Sequence, residues 1–194
     1  MVQARVLAAV GRHAEALDAL TAAASDAGRI ASPALLYVVT AHRMRIHLEQ
    51  GDMRPVLEWS EDVARGGDEL KGYSREPAAL TLVRVWLRVG ERRRATRLLE
   101  QLEKQADVDG RVGSLVEIIS LQGLVCWSNG QRDRALGLLA RALALAEPGG
   151  YMRVFADDGS ELVSTASFGS SARPIASRQS LAPARPGSSG SDPR

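Results

Sequence analysis

The chain is expected to fold as an all-α solenoid of stacked helical hairpins, and three observations predict it. Glycine-led phrases recur at a nearly constant interval. They are GRHAEALDAL at 11, GDMRPVLEWS at 51, GERRRATRLL at 90 and GQRDRALGLL at 130, so the spacings are 40, 39 and 40 residues. A fixed period of this length marks a repeat architecture. Small or apolar residues also recur at matching offsets after each glycine: Ala16, Val56, Ala95 and Ala135 five positions on, Leu20, Ser60, Leu99 and Leu139 nine on, and Ala23, Val63, Leu102 and Ala142 twelve on. Those offsets share one side of a helix. Finally, apolar residues make up 45% of the 194 positions but aromatic ones only 4%. The core must therefore come from alanine, leucine and valine, which suits close helix–helix packing. A plain bundle of unrelated amphipathic helices would not call for matched offsets.

The elements follow in order. The first unit keeps only a short leading helix, roughly 2–10, before Gly11 and its partner helix. The second opens with PALLYVVTAHRMRIHLEQ at 33–50, where Ser32 supplies an N-cap and Pro33 the first helical position. Its partner follows Gly51, with Pro55 in the first turn, where a missing N–H costs little. RGGDELKGYS at 65–74 is the one sizeable loop in the array. The third unit opens at 76–89, with Ser74 and Pro77 as start signals, and turns at Gly90. The fourth opens at 111–129, turns at Gly130, and breaks at Pro148-Gly149-Gly150. Glycine in these turns permits a positive φ. Such hairpins cannot bury both faces alone, so they stack and leave a concave groove.

The C-terminal segment differs. Of the 36 residues from 159 on, 18 are Ser, Gly or Pro, and no helix or strand period survives. Phe168, Ile175 and Leu181 are too sparse to offset the ordering entropy. The expected organisation is a repeat array over 1–158, with glycine turns at 11, 51, 90 and 130, and a disordered tail over 159–194.

Charge and composition narrow the functional classes. The pI of about 9.0 comes from the tail, because the first 158 residues hold 21 basic and 21 acidic side chains. A nucleic-acid-reading body concentrates cations, so direct nucleic-acid binding is not expected. No apolar run approaches the ~20 residues of a membrane span, and the N-terminus lacks signal-peptide features. Cys126 is the only cysteine, which rules out a disulfide framework. A cytoplasmic chain is expected.

Catalytic and metal motifs are missing from the sequence. His42 and His47 stand five apart and do not share a helical face as ligands at i,i+4 would. Neither G-x-S-x-G nor H-E-x-x-H occurs. Asp157-Asp158 reads as linker, and Cys126 as a packed small residue. ERRRATR at 91–97 reads as a solvated helix start, with Glu100 and Glu103 one turn on as partners. Trp59 stands in the helix after Gly51. Trp86, in register with His47 and Cys126, reads as inter-helix packing. The expectation is a binding protein without cofactor or metal, not an enzyme.

The 40-residue hairpins resemble tetratricopeptide-like (TPR-like) repeats of the lengthened sort. QRDRALGLLARALALAEPGGYMRVFADDG at 131–159 is similar to the closing repeat of the sensor region in large ATP-dependent LuxR-type transcriptional regulators, the MalT-like group. ARVLAAVGRHAEAL and DGRVGSLVEIISLQGLVCWSNG resemble the same region, and the likeness covers roughly 1–158. It implies a right-handed superhelix whose groove, lined by the first helix of each hairpin, binds a small-molecule inducer or a partner protein. In a complete regulator it implies coupling of that binding to ATP-dependent oligomerisation. The groove positions it implies are Arg45 and Arg84, six before their glycines, Glu49 and Arg88, two before, and Ser120 and Trp127. Two arginines in register near a tryptophan suit a carboxylate-bearing peptide or small ligand. Ordinary surface arginines are the plainer alternative.

The family also implies a phosphate-loop domain and a DNA-binding domain. Only Lys71 and Lys104 are present, neither in a G-x-x-x-x-G-K-[ST] setting, and no paired helices follow Gly159. The chain is thus expected to be the sensor piece alone, neither hydrolysing ATP nor reading DNA. The rival expectation is a stand-alone TPR-type scaffold for protein–protein interaction, with the tail as tether. An interrupted first repeat would expose apolar surface and favour self-association.

Overall fold

The computed structural model describes residues 2–65 and 75–150. These form eight helices and no strand: α1 (Val2–Ala9), α2 (His13–Arg29), α3 (Pro33–Gln50), α4 (Met53–Arg65), α5 (Glu76–Val89), α6 (Arg92–Val108), α7 (Val112–Ser128) and α8 (Arg132–Ala146). The protein is an all-α, TPR-like repeat of four consecutive hairpins, α1–α2 through α7–α8. The 66–74 part of the expected loop, Ser74 with it, and the expected tail at 159–194 with Asp157-Asp158 lie outside the described residues.

One backbone device ends six of the described helices, at the turns that join one helix to the next. At Gly90 the φ is +84°; its N–H donates to the Leu87 carbonyl, and the Glu91 N–H reaches back to the Trp86 carbonyl at 2.8 Å. This is the Schellman pattern, in which a left-handed residue satisfies carbonyls that the helix end would leave bare. The same pair of bonds recurs at the other three hairpin glycines. It also recurs between hairpins, at Gly110 and, without glycine, at Ala31, whose φ is +49°. A Cβ at Gly90 would meet nothing within 4 Å, so only backbone strain opposes a side chain there. Gly90→Ala is expected to lower stability by about 1 kcal/mol, and Ala31→Gly to raise it by somewhat less. Urea-unfolding midpoints moving in opposite directions would check the pair. Elsewhere Ser32 caps α3 by accepting from the Leu35 N–H at 3.4 Å, with Pro33 first in the helix.

The first and second helices of the hairpins bury themselves differently. α5 is buried almost without break from Glu76 to Trp86, and α7 likewise from Leu115 to Cys126. α3 packs on α5, and α5 touches α7, so these first helices form an inner layer. The second helices each bury one stripe, and the alignment by glycine explains it. Ala16, Val56, Ala95 and Ala135 are all fully buried. Leu99, Leu102, Leu82, Ile118, Ile119 and Leu121 fill the main core. At Gly123 of α7 the two helices are close enough that an added Cβ would stand 3.2 Å from Leu139 of α8.

The basic run at 91–97 is a solvated helix start, as expected, with Arg92, Arg93, Arg94 and Arg97 exposed, but Glu103 is not its partner. Arg94 lies over the Trp86 ring at 4.6 Å, while Glu103 is taken by Gln122 of α7 and Arg141 of α8 at 2.7 Å each. The Glu103 carboxylate accepts from donors of the following hairpin and not from the arginines a turn away on α6. Trp86 and Cys126 are buried, as packing residues would be.

Candidate functional site

Arg45 of α3 and Arg84 of α5 occupy the same register, six residues before Gly51 and Gly90. Because α3, α5 and α7 lie side by side, equal register on neighbouring helices brings the two guanidinium groups toward a third helix. Both meet Glu117 of α7: Arg84 Nη2 donates to Glu117 Oε1 at 2.9 Å, and Arg45 Nη1 to the same oxygen at 3.4 Å. Arg45 Nε also reaches Glu49 Oε1, one turn on, at 3.3 Å. The cluster therefore draws charge from three successive hairpins.

The electrostatics are those of a sunken ion-pair group. The Arg84 side chain is 1% exposed, that of Arg45 15% and that of Glu117 23%. Burial by itself would push the Glu117 carboxyl up. The charges of Arg84 and Arg45, the hydrogen bond from Arg84 and the more distant charge of Arg5 outweigh it and hold the group below the usual carboxylate range. Glu117 is thus ionised at neutral pH. His42, one turn before Arg45, is also pushed down, to about 4, first by burial and then by the charges of Arg5 and Arg45, against a smaller opposing effect of Glu117. It is neutral at physiological pH. Beside the cluster, between α1, α2 and α3, lies a cavity of about 330 Å³ whose wall carries Arg5, His13, His42, Arg45 and Glu49.

Of the six residues expected to line a groove, the fold brings Arg45, Glu49 and Arg84 together. Arg88 lies at the exposed end of α5. Ser120 is buried and donates to the Val116 carbonyl of its own helix at 2.7 Å. Trp127 is half-buried at the end of α7, with Arg132 of its own hairpin over the ring at 5.7 Å. Glu117, His42 and Arg5 were missed. Glu117 carried a usable signal: it is the one charged side chain in the 17 residues of α7, the most apolar helix. A carboxylate in such a setting needs a cationic partner. A second network, Arg111 and Ser114 on Glu76, with Ser114 Oγ to Glu76 Oε1 at 2.6 Å, pins the start of α7 to the start of α5.

Fixed guanidinium forks around a carboxylate suit recognition of charged or hydrogen-bonding partners. Among the described residues no group of three or more His, Cys, Asp and Glu side chains is placed to hold a metal ion. No described helix is long and apolar enough to cross a membrane. In comparison with known proteins, a family model described as the MalT-like TPR region matches residues 1–165. No curated protein and no solved structure gave a match.

Proposed function

The chain belongs to the MalT-like TPR region family, and on that premise we propose that it is the sensor part of a LuxR-type, MalT-like transcriptional regulator. In this reading it binds a small-molecule inducer or a partner protein in a groove on its inner layer, works in the cytoplasm, and does no chemistry of its own. It contacts no nucleic acid directly. The observation that carries the reading is the Arg45–Glu117–Arg84 cluster. Three hairpins contribute charge to one spot, and a ligand there would touch several repeats together. Such a contact translates binding into a change of the whole array.

The test is a thermal-shift screen of the chain against small metabolites and short acidic and basic peptides, repeated with Arg84→Met. An effector is expected to raise the Tm of the natural chain, as selective binding to the folded state requires, and to lose at least tenfold in affinity in the variant. Ligands that bind the variant equally well, or ATP hydrolysis by the purified chain, would overturn the reading. A scaffold for protein–protein interaction is the second reading. Leu136 and Leu143, a heptad apart and exposed on α8, favour it.

A further inference from the structure

We propose that the cavity between α1, α2 and α3 is a binding site for a small monocarboxylate with a short aliphatic body. This inference rests on the sensor reading above and names the chemical class of its ligand.

Four features of the cavity lead there. Its volume, about 330 Å³, lies at the low end of the range for small-molecule sites, which fits a metabolite and not a peptide. Much of its lining is aliphatic, from Ala4 and Ala8 of α1, Leu20 of α2 and Ile46 of α3. Its permanently charged lining is Arg5 and Arg45 against Glu49, one positive charge in excess, and His42 adds none at neutral pH. The excess matches a monoanion; a phosphate monoester carries ≈ −1.5 to −2 at pH 7. Lastly, the contacts from Arg45 to Glu49 and Glu117 measure 3.3 and 3.4 Å, beyond the usual 2.7–2.9 Å of a charge-assisted bond. A ligand carboxylate at normal distance competes with those two contacts. Arg84 holds Glu117 at 2.9 Å and keeps it satisfied when Arg45 turns to a ligand.

The polar wall agrees with this assignment. His13 lines the cavity, and its Nδ1 is sealed from solvent with no hydrogen-bond partner among the described residues. That nitrogen is out of a ligand's reach, so His13 reports on occupancy of the cavity without bonding to what fills it. His42 feels the charges of Arg5 of α1, Arg45 of its own helix, Glu117 of α7 and the N-terminal amine. Three of those four groups are cations, and an anion seated between Arg5 and Arg45 cancels part of their field. The His42 imidazole then takes up a proton more readily.

The chain's three histidines make the experiment direct. The probes are isovalerate, its neutral amide isovaleramide, and inorganic phosphate, each titrated into the 194-residue chain while the imidazole resonances are followed by NMR. Isovalerate is expected to shift the His42 and His13 signals saturably and to raise the midpoint of His42 titration. His47, outside the cavity lining and 3.1 Å from Asp52, is expected to stay put. Isovaleramide should bind at least tenfold more weakly, and phosphate no better than the amide. Arg5→Gln, at an exposed position that should not disturb folding, should cost isovalerate at least tenfold; Ala8→Leu, which fills the cavity, should abolish the shift. Equal binding of acid and amide, indifference to Arg5→Gln, or a non-saturating shift shared by His47 would each overturn the proposal. Failure here is separable from failure of the sensor reading, because Arg84 lies outside the cavity lining. An effector that depends on Arg84 while isovalerate leaves His42 and His13 unmoved sinks the carboxylate site and leaves the sensor standing.

Discussion

Glu117→Gln is expected to destabilise the array by roughly 3 kcal/mol, the scale of breaking a buried ion pair from one side. The cost comes mainly from Arg84, whose side chain is 1% exposed and loses its 2.9 Å carboxylate partner. Removing both members should be far gentler. Arg84→Met combined with Glu117→Leu leaves neither charge of that pair buried alone and restores most of the loss, since apolar replacement of a buried pair is often neutral. Chemical denaturation of Arg84→Met, Glu117→Leu and their double forms a cycle that reads the coupling. The pH dependence has a definite sign. Glu117 is held below its ordinary value in the folded state, so its contribution is complete above the ordinary carboxylate range. It is lost as pH falls through the lowered value, from roughly pH 5 downward. The glutamine variant should lack that component, and its stability should fall less steeply in acid.

Leu99→Ala is expected to cost about 3 kcal/mol. Leu99 is fully buried in the main core, among side chains of α5, α6 and α7. Two of its surroundings cannot close the gap. Ala95 and Leu102 are locked in the same buried stripe of α6, and α5 and α7 are pinned together by Arg111, Ser114 and Glu76. A cavity therefore remains. Leu136→Ala on α8, at a side chain 57% exposed, should stay within about 0.5 kcal/mol. A large difference in urea midpoint between the two is the expected result; similar losses would mean that α6 is not the wall of the main core.

The architecture was legible because one stereochemical need recurs. A Schellman turn demands a left-handed residue, glycine meets it at 11, 51, 90 and 130, and counting from each glycine gives the buried stripe directly. Ala16, Val56, Ala95 and Ala135 follow from that alone. Between hairpins the device was harder to see, because at Ala31 an alanine holds the left-handed angle and nothing in its type announces it. The candidate site was only half legible. Register along one helix type pairs Arg45 with Arg84, but their common partner lies thirteen residues before Gly130, more than a full turn of register away. That offset depends on how α7 slides along α5, a three-dimensional quantity that no spacing within a repeat encodes. Ser120 and Trp127 illustrate the converse. Their offsets looked suitable, yet one points its hydroxyl at its own helix and the other is covered by Arg132.

The contact between Arg45 and Glu117 has a further consequence for cooperativity. In a linear array each unit touches only its neighbours, so unfolding can stop at any boundary and stability adds unit by unit. Arg45 belongs to the second hairpin and Glu117 to the fourth, with α5 of the third lying between. A bond that skips a unit cannot be kept while either flank frays. At 3.4 Å it couples the fraying of α7 to that of α3 only weakly, and a ligand that draws Arg45 away would release even that link between separated units.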